Sequence, residues 1–193
     1  MMSASRKQSY DFSALSMLVV DDSDHMLALV RRLLTAMRIE QLRTAHEIEG
    51  AIDAMRVAKP DLVILDWNMI PVNGLDFLAR VRKGPDTPNA EVPILMLTAH
   101  TEMHRVLAAR DAGVNWVLAK PISFKSLYDA LTLIVDSDRE FVRSEVYIGP
   151  DRRRDRRGGS PDQRRNTSPD DGGDRRRASD PDAPKPKPEP GKS

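Results

Sequence analysis

Three aspartates stand directly after short apolar runs, a placement that suits metal-assisted phosphoryl chemistry. Asp21 and Asp22 follow the run at residues 17–20, and Asp66 follows the run at residues 62–65. If both runs are parallel strands, their carboxyl ends meet at one edge of the sheet, where open α/β sheets place ligands. Close carboxylates repel one another and raise one another's pKa unless a cation lies among them. Mg²⁺ is the expected cation, because it binds one or two carboxylates while keeping waters and room for a phosphate.

Two further polar residues follow apolar runs and could complete such a site. Thr98 follows the run at residues 94–97, and Lys120 follows the run at residues 114–119. A hydroxyl and an ammonium at the same edge would complement the equatorial oxygens of a phosphoryl group during its transfer. The nucleophile would be a carboxylate, which forms an acyl phosphate. Alone, each aspartate is more often a helix cap than a catalytic residue. Thr98 alone could cap a strand end, and Lys120 alone could be a solvated lysine before a turn. Their joint placement favours a phosphoryl site.

Alternating strand and helix patterns position these residues. The apolar runs are short, continuous and bounded by turn residues, which is typical of strands buried on both faces. With a weaker strand at residues 41–45, strand and helix alternate five times. This pattern predicts an α/β fold, a doubly wound (βα)5 parallel five-stranded sheet of the flavodoxin-like type. The first predicted helix follows the capping side chains of residues 22–24, and three more lie near residues 47–57, 75–82 and 102–112. The fifth is capped by Ser123, and its residues Phe124, Leu127, Leu131 and Ile134 are expected to face inward.

Together these features resemble the receiver domain of bacterial two-component response regulators, in the form of a chemotaxis-type stand-alone receiver. The resemblance extends over roughly residues 14–136, which is most of the chain. No single residue carries it, since aspartates after strands are common, but the whole set in this order is highly specific. The residues that carry it are Asp21, Asp22, Asp66, Thr98, Lys120 and Pro121.

The resemblance implies a role for each acidic residue. Asp66 would be the phosphoacceptor. Asp22, Asp66 and the main-chain carbonyl of Asn68 would bind Mg²⁺, and Asp21 would act on the ion mainly through water. The resemblance also implies a signalling domain that phosphorylates and dephosphorylates itself, and not an enzyme acting on other substrates. The phosphoryl group would come from a histidine kinase or a phosphotransfer protein.

The resemblance also implies a switch, in which this sequence departs from the family. Thr98 would be the switch hydroxyl and Lys120 the phosphate-pairing cation, with a cis bond expected before Pro121. Val117 stands where the family usually has Tyr or Phe, a side chain that swings inward when the hydroxyl moves to the phosphate. Because valine cannot swing in this way, the response is expected to be confined to residues 98–104.

A second departure lies in the loop after Asp66. The proline that usually follows the phosphoacceptor at this distance is displaced by one position, so Ile70 occupies its place and Pro71 comes next. This displacement is expected to bend the loop differently while leaving Gly74 in register with the family pattern.

Composition restricts the other functions open to the chain. Its 193 residues include no cysteine, which excludes disulfides and thiolate metal sites and suits a cytoplasmic protein. No apolar run reaches the roughly 18 residues of a membrane span, and residues 1–10 lack the apolar core of a signal peptide. The net charge of +1 is divided unevenly: residues 1–149 carry 17 Lys and Arg against 20 Asp and Glu, and residues 150–193 carry 13 against 9.

The composition also divides the chain into segments. Residues 1–13 are expected to form a flexible N-terminus, residues 14–136 the receiver domain, residues 137–149 an apolar strap or linker, and residues 150–193 a disordered tail rich in Arg, Asp and Pro. A short helical extension is the other interpretation of residues 136–146. Too few apolar residues remain beyond the receiver to build a DNA-binding domain. A downstream protein target is therefore expected, and DNA binding is not.

Arginine clusters in the tail leave its partner open. A solubilising tail, nucleic acid and an acidic protein surface are three interpretations, although aspartates among the arginines weaken the case for nucleic acid. Cyclic di-GMP is a fourth, because Arg can bond guanine O6 and N7, bind phosphates and stack on the base. In this composition the chain resembles receiver-like proteins whose arginine-rich extension binds cyclic di-GMP. The alternative function is therefore an adaptor whose tail senses the signal on a receiver scaffold. The candidate anion-binding residues are Arg152, Arg153, Arg154, Arg156 and Arg157.

Overall fold

Five parallel strands form one sheet in the computed structural model. The strands are β1 (Ser16–Val20), β2 (Gln41–Ala45), β3 (Leu62–Asp66), β4 (Ile94–Thr98) and β5 (Trp116–Ala119). Their order in the sheet, β2-β1-β3-β4-β5, is that of the flavodoxin-like doubly wound fold, so the predicted fold class is confirmed. The residues that the structure describes are 10–71, 73–85, 87–99, 102–137, 141–144 and 147–151.

A helix follows each strand, and local signals set where the helices begin. The side chains of Ser23, Asn73 and Ser123 accept main-chain N–H bonds at the starts of the first, third and fifth helices. None of the helices in the described ranges is long and apolar enough to cross a membrane. The helices are α1 (Asp24–Ala36), α2 (Ile48–Ala58), α3 (Gly74–Lys83), α4 (Met103–Asp111) and α5 (Phe124–Val135).

The helices cover both faces of the sheet and so account for the continuous apolar runs. Val20 and Leu65 belong to the core on the face covered by α2, α3 and α4. Val19 and Ile64, their neighbours in sequence, belong to the core on the opposite face, which α1 and α5 cover. Because successive strand residues point to opposite faces, a strand buried on both sides must be apolar throughout. The edge where these strands end is therefore held by a rigid framework.

One predicted core position is wrong. Phe124 is 46% exposed although it has the spacing of the buried stripe, because it is the first residue of α5, at the end of the helix. Its ring stacks on Tyr128 with the centroids 6.2 Å apart. Leu127 and Leu131 are buried as expected, and Ala130 completes the buried stripe.

A short hairpin follows α5. Its strands, β6 (Phe141–Arg143) and β7 (Ile148–Pro150), pair antiparallel. The sequence left residues 136–146 open between a short helical extension and an apolar strap. Among the described residues of this segment, Phe141–Arg143 form a strand. Residues 1–154 form one unit that includes every described residue, and the second unit, residues 155–193, lies outside the described part of the chain.

A buried arginine joins this hairpin to the loops that precede β4 and β5. Arg82 on α3 is 2% exposed and donates to the carbonyl oxygens of Gly113, at 3.0 and 3.2 Å, and of Ala90, at 2.7 Å. Its guanidinium lies 5.2 Å from the ring centroid of Phe141 on β6. Burial lowers the pKa of Arg82 to about 10, so the group is still a cation at neutral pH.

The hairpin also packs closely against Gly113. The φ angle of this glycine is 101°, and a Cβ added to it would lie 2.5 Å from the carbonyl oxygen of Ile148 on β7.

We expect Arg82→Met to lower the free energy of unfolding by about 3 kcal/mol, because two carbonyl oxygens lose a charged donor. Urea denaturation followed by circular dichroism measures the difference. The control is Arg31→Met, which removes the same charge from an exposed position on α1 and should change stability by no more than about 0.5 kcal/mol. Equal stability of the two variants would contradict the assigned role of Arg82.

Candidate functional site

The carboxyl edge of the sheet brings the predicted residues together. Asp66 is the last residue of β3 and pairs with Leu97 of β4. Thr98 follows Leu97 as the last residue of β4, so it lies at the same edge as Asp66. Asp21 follows β1, and its N–H bonds the Ala45 carbonyl oxygen at 3.2 Å. Lys120 follows β5, and its N–H bonds the Thr98 carbonyl oxygen at 2.7 Å. Ladder bonds therefore fix the main-chain positions from which these side chains extend.

Three carboxylates form a cluster at this edge. Asp21, Asp22 and Asp66 each offer one oxygen, and these oxygens lie within 4.8 Å of one another. Asp21 and Asp66 are buried, at 2% and 4% exposure, and Asp22 is exposed. Burial raises the pKa of Asp21, as does the charge of Asp66, while the Ser23 N–H and Lys120 act in the opposite direction. Such an arrangement favours binding of a cation.

One oxygen of the cluster fits a metal ion particularly well. Among the described residues, no hydrogen bond reaches the buried Oδ2 of Asp21. The Nζ of Lys120 lies 3.5 Å from it, an ion-pair distance without hydrogen-bond geometry. A buried carboxylate oxygen left in this way is destabilising unless a further charge partner binds. The cluster could therefore hold a hard divalent cation such as Mg²⁺.

Lys120 is the cation that the structure itself places in the cluster. Its Nζ lies 2.9 Å from Asp66 Oδ1, and the side chain is 23% exposed. The Lys120–Pro121 peptide bond is cis, as the resemblance implied. A mostly buried ammonium beside the proposed acceptor could pair with added phosphoryl oxygens as a point charge.

The remaining predicted residues lie around the cluster. Thr98 is 1% exposed at the end of β4. Asn68 is exposed two positions after Asp66, and the role of its carbonyl as a metal ligand stays a prediction. Val117 packs, partly buried, against the core on the α4 side of the sheet, and its effect on switching also stays a prediction. The arginines predicted to bind an anion, residues 152–157, lie outside the described residues.

Two main-chain N–H groups that the sequence interpretation did not identify also contact the cluster. The Ser23 N–H donates to Asp21 Oδ1 at 2.9 Å. The Ile70 N–H donates to Asp22 Oδ2 at 3.0 Å. The first is a local turn that an Asp-x-Ser sequence permits. The second joins distant parts of the chain. The sequence feature that permits it is the residue at position 70, which is not proline and therefore has an N–H to donate.

We expect Asp21→Asn to stabilise the metal-free protein by on the order of 1 kcal/mol, a gain typical of relieving a strained functional site. The pKa of Asp21 is raised in the folded state, so its ionised form opposes folding at neutral pH. This contribution is lost as pH falls through the raised pKa, so the stabilisation of the variant should shrink on acidification. Urea denaturation at several pH values measures it.

Magnesium provides the control for this prediction. A ligand that binds only the folded state stabilises it, and wild type should bind Mg²⁺ more tightly than the variant. Saturating Mg²⁺ should therefore reduce or reverse the difference between Asp21→Asn and wild type. A variant that is less stable than wild type without metal at neutral pH would contradict the assignment of Asp21 as a destabilising carboxylate.

Comparisons with known proteins agree with this geometry. The family model described as response regulator receiver domain matches residues 17–132. The chain is 32% identical over 125 residues to chemotaxis protein CheY1 of Helicobacter pylori, a match covering 64% of this chain and 99% of that protein. It is 30% identical over 122 residues to CheY-3 of Vibrio cholerae, covering 63% and 92%. The solved structure of CheY4 of Vibrio cholerae superposes with a TM-score of 0.57 at 29% identity, covering 63% of this chain and 99% of that one.

Proposed function

This chain belongs to the family of response regulator receiver domains, and we propose that it accepts a phosphoryl group on Asp66 in a Mg²⁺-dependent reaction. Proteins of this family are signalling domains that interact in general with histidine kinases and phosphotransfer proteins. The observation that carries the proposal is the cluster of three aspartates with Lys120 2.9 Å from Asp66. The donor would be a histidine kinase or a phosphotransfer protein.

The cluster supports a direct transfer to the Asp66 carboxylate. A carboxylate oxygen of Asp66 attacks the phosphorus of a phosphohistidine, a P–O bond forms, and the P–N bond to the donor imidazole breaks. The donor histidine leaves with the electron pair of that bond, and an acyl phosphate remains on Asp66. Mg²⁺, when bound by Asp22, Asp66 and the Asn68 carbonyl, would neutralise charge on the phosphoryl oxygens. Lys120 would pair with one of these oxygens after transfer.

The same proposal covers the response to phosphorylation. The hydroxyl of Thr98 would hydrogen-bond a phosphoryl oxygen, and the adjoining loop would follow it. Val117 in place of an aromatic residue would confine the change to residues 98–104. The changed surface would be recognised by a downstream protein. A cysteine-free chain of this family is proposed to act in the cytoplasm.

A direct test is to incubate the purified protein with acetyl phosphate and Mg²⁺ and to measure its intact mass. The mass should increase by one phosphoryl group, which alkali or hydroxylamine should remove because acyl phosphates are labile. The same mixture containing a chelator of divalent cations is the control and should give no increase. Failure of wild type to gain any phosphoryl group would contradict the proposed function.

A second candidate function rests on the tail sequence. Its arginines occur in clusters at residues 152–157, 164–165 and 175–177, separated by Gly, Pro and Asp, so several could contact one compact anion. In this alternative the tail binds cyclic di-GMP, or another anionic partner, and the receiver serves as a scaffold. Binding would then be independent of the chemistry at Asp66.

We expect the first arginine cluster to contribute most if the tail binds cyclic di-GMP. Ordering a segment next to the hairpin costs less conformational entropy than ordering a distant one. Replacing Arg152, Arg153 and Arg154 by Ala should therefore weaken binding more than replacing Arg175, Arg176 and Arg177. Calorimetry of the full chain with cyclic di-GMP, GTP and a short DNA duplex measures this. Binding of the duplex alone, with steep salt dependence, would indicate nucleic acid, and no binding would leave a solubilising tail.

A further inference from the structure

A single hydrogen bond joins the cluster of aspartates to the loop after β3. The main-chain N–H of Ile70 donates to Asp22 Oδ2 at 3.0 Å, across 48 positions of sequence. Asp22 is exposed, and the Ile70 side chain is 84% exposed. The contact that Ile70 makes with the site is therefore made by its backbone, while its side chain faces solvent.

This bond depends on the residue type at position 70. The receiver pattern usually has proline here, and proline has no N–H to donate. In this chain the proline is displaced to Pro71, so the main-chain nitrogen of Ile70 carries a hydrogen. The departure from the pattern therefore gives Asp22 a donor that a proline at the same position could not provide.

The bond restricts a carboxylate that would otherwise change rotamer freely. Asp22 is exposed, and no other hydrogen bond to its carboxylate is present within the described ranges. Asp21 is held in a similar way, with Oδ1 accepting from the Ser23 N–H and Oδ2 left without a hydrogen bond among the described residues. In each aspartate, one oxygen is thus fixed by a main-chain N–H, while the second oxygen accepts no hydrogen bond from the described residues and, in Asp21, has only the Lys120 ammonium at 3.5 Å.

We propose that the Ile70 main-chain N–H is a positioning group for the metal site, which orients Asp22 and so increases the affinity for Mg²⁺. The inference rests on the proposed function, because it requires Asp22 to be a ligand. A donor that holds a ligating carboxylate reduces the entropy lost when the metal binds, and removing such outer contacts typically lowers metal affinity about 10- to 100-fold. The Ile70 side chain has no part in this effect.

Two variants at position 70 distinguish the effect of the main-chain N–H on Mg²⁺ affinity from that of the side chain. Ile70→Pro removes the N–H, and Ile70→Ala keeps the N–H while removing most of the exposed side chain. We expect Ile70→Pro to bind Mg²⁺ about 10-fold more weakly than wild type, whereas Ile70→Ala should stay within about 2-fold. Trp67, buried beside Asp66, supplies a fluorescence signal for the titration, and calorimetry gives an independent dissociation constant.

Further measurements separate positioning from general damage to the fold. Urea denaturation without metal shows whether Ile70→Pro is folded. If it is not, amide hydrogen exchange of the wild type provides the test: the Ile70 amide should be protected in the wild type and exchange faster in Asp22→Ala. Equal Mg²⁺ affinity of a folded Ile70→Pro, or an unprotected Ile70 amide in wild type, would overturn the inference alone. Absence of Mg²⁺ binding by wild type would overturn the proposed function and the inference together.

Discussion

Asp66→Asn should abolish phosphorylation by acetyl phosphate, while wild type gains one phosphoryl group per chain. The asparagine amide has nearly the shape of the carboxylate but is not a nucleophile toward phosphorus. Asp66 ends a strand that is buried along its whole length, and it is the carboxylate of the cluster that Lys120 approaches to 2.9 Å, which is why it is the expected acceptor. Intact-mass measurement after incubation with Mg²⁺ and acetyl phosphate gives the result directly.

Two controls distinguish loss of the acceptor from loss of the fold. Asp53→Asn removes an exposed carboxylate on α2 that pairs with Arg56 at 2.8 Å, and it should be phosphorylated like wild type. The unfolding transition of Asp66→Asn should show a folded protein, because the change removes one of three neighbouring negative charges. Phosphorylation of Asp66→Asn to the same extent as wild type would identify a different acceptor.

The sequence was sufficient to predict the framework of the site because each element has a local signal. Apolar runs buried on both faces are continuous, and their ends mark the carboxyl edge of a parallel sheet. The ends of these runs therefore place Asp66, Thr98 and Lys120 at one edge of the sheet from sequence alone. Their meeting point is fixed by topology, and the 2.9 Å contact between Lys120 and Asp66 is in keeping with that placement.

The buried arginine lacked such a signal. Arg82 belongs to a residue type that is almost always exposed, and the sequence interpretation gave it no buried role. Its shortest hydrogen bonds go to the main-chain carbonyl groups of Gly113 and Ala90, a kind of group that every residue has and no sequence pattern marks. The hairpin that covers it was similarly undetermined, because three-residue strands are too short to show periodicity.

The hydrogen bond from Ile70 to Asp22 could be predicted from the sequence only in part. The absence of proline at position 70 was visible in the sequence, but it was interpreted only as a change in the bend of the loop. Its chemical consequence, a free N–H, follows from residue type. That this N–H meets a carboxylate 48 positions away depends on the packing of two loops, which local sequence does not determine.

Asp22→Ala should weaken Mg²⁺ binding by at least about 100-fold, since loss of a direct ligand should exceed the 10- to 100-fold effects of outer contacts. The exposed carboxylate of Asp22 lies in the same cluster as Asp21 and Asp66, so its removal leaves a cation fewer negative oxygens. Phosphorylation should slow by a comparable factor at limiting Mg²⁺, because the ion neutralises charge developing during transfer. Trp67 fluorescence and calorimetry measure the affinity.

Asp24→Ala is the matched control for this prediction. Asp24 is also exposed and lies two positions after Asp22, but it is the first residue of α1 and its Oδ1 lies 3.6 Å from His46 Nε2. Its removal takes away the same charge close to the site without removing a member of the cluster, so the Mg²⁺ affinity should fall by less than about 3-fold after screening by salt. If Asp22→Ala and Asp24→Ala weaken binding equally, only the general negative potential matters. Normal affinity in Asp22→Ala would mean that the metal binds elsewhere.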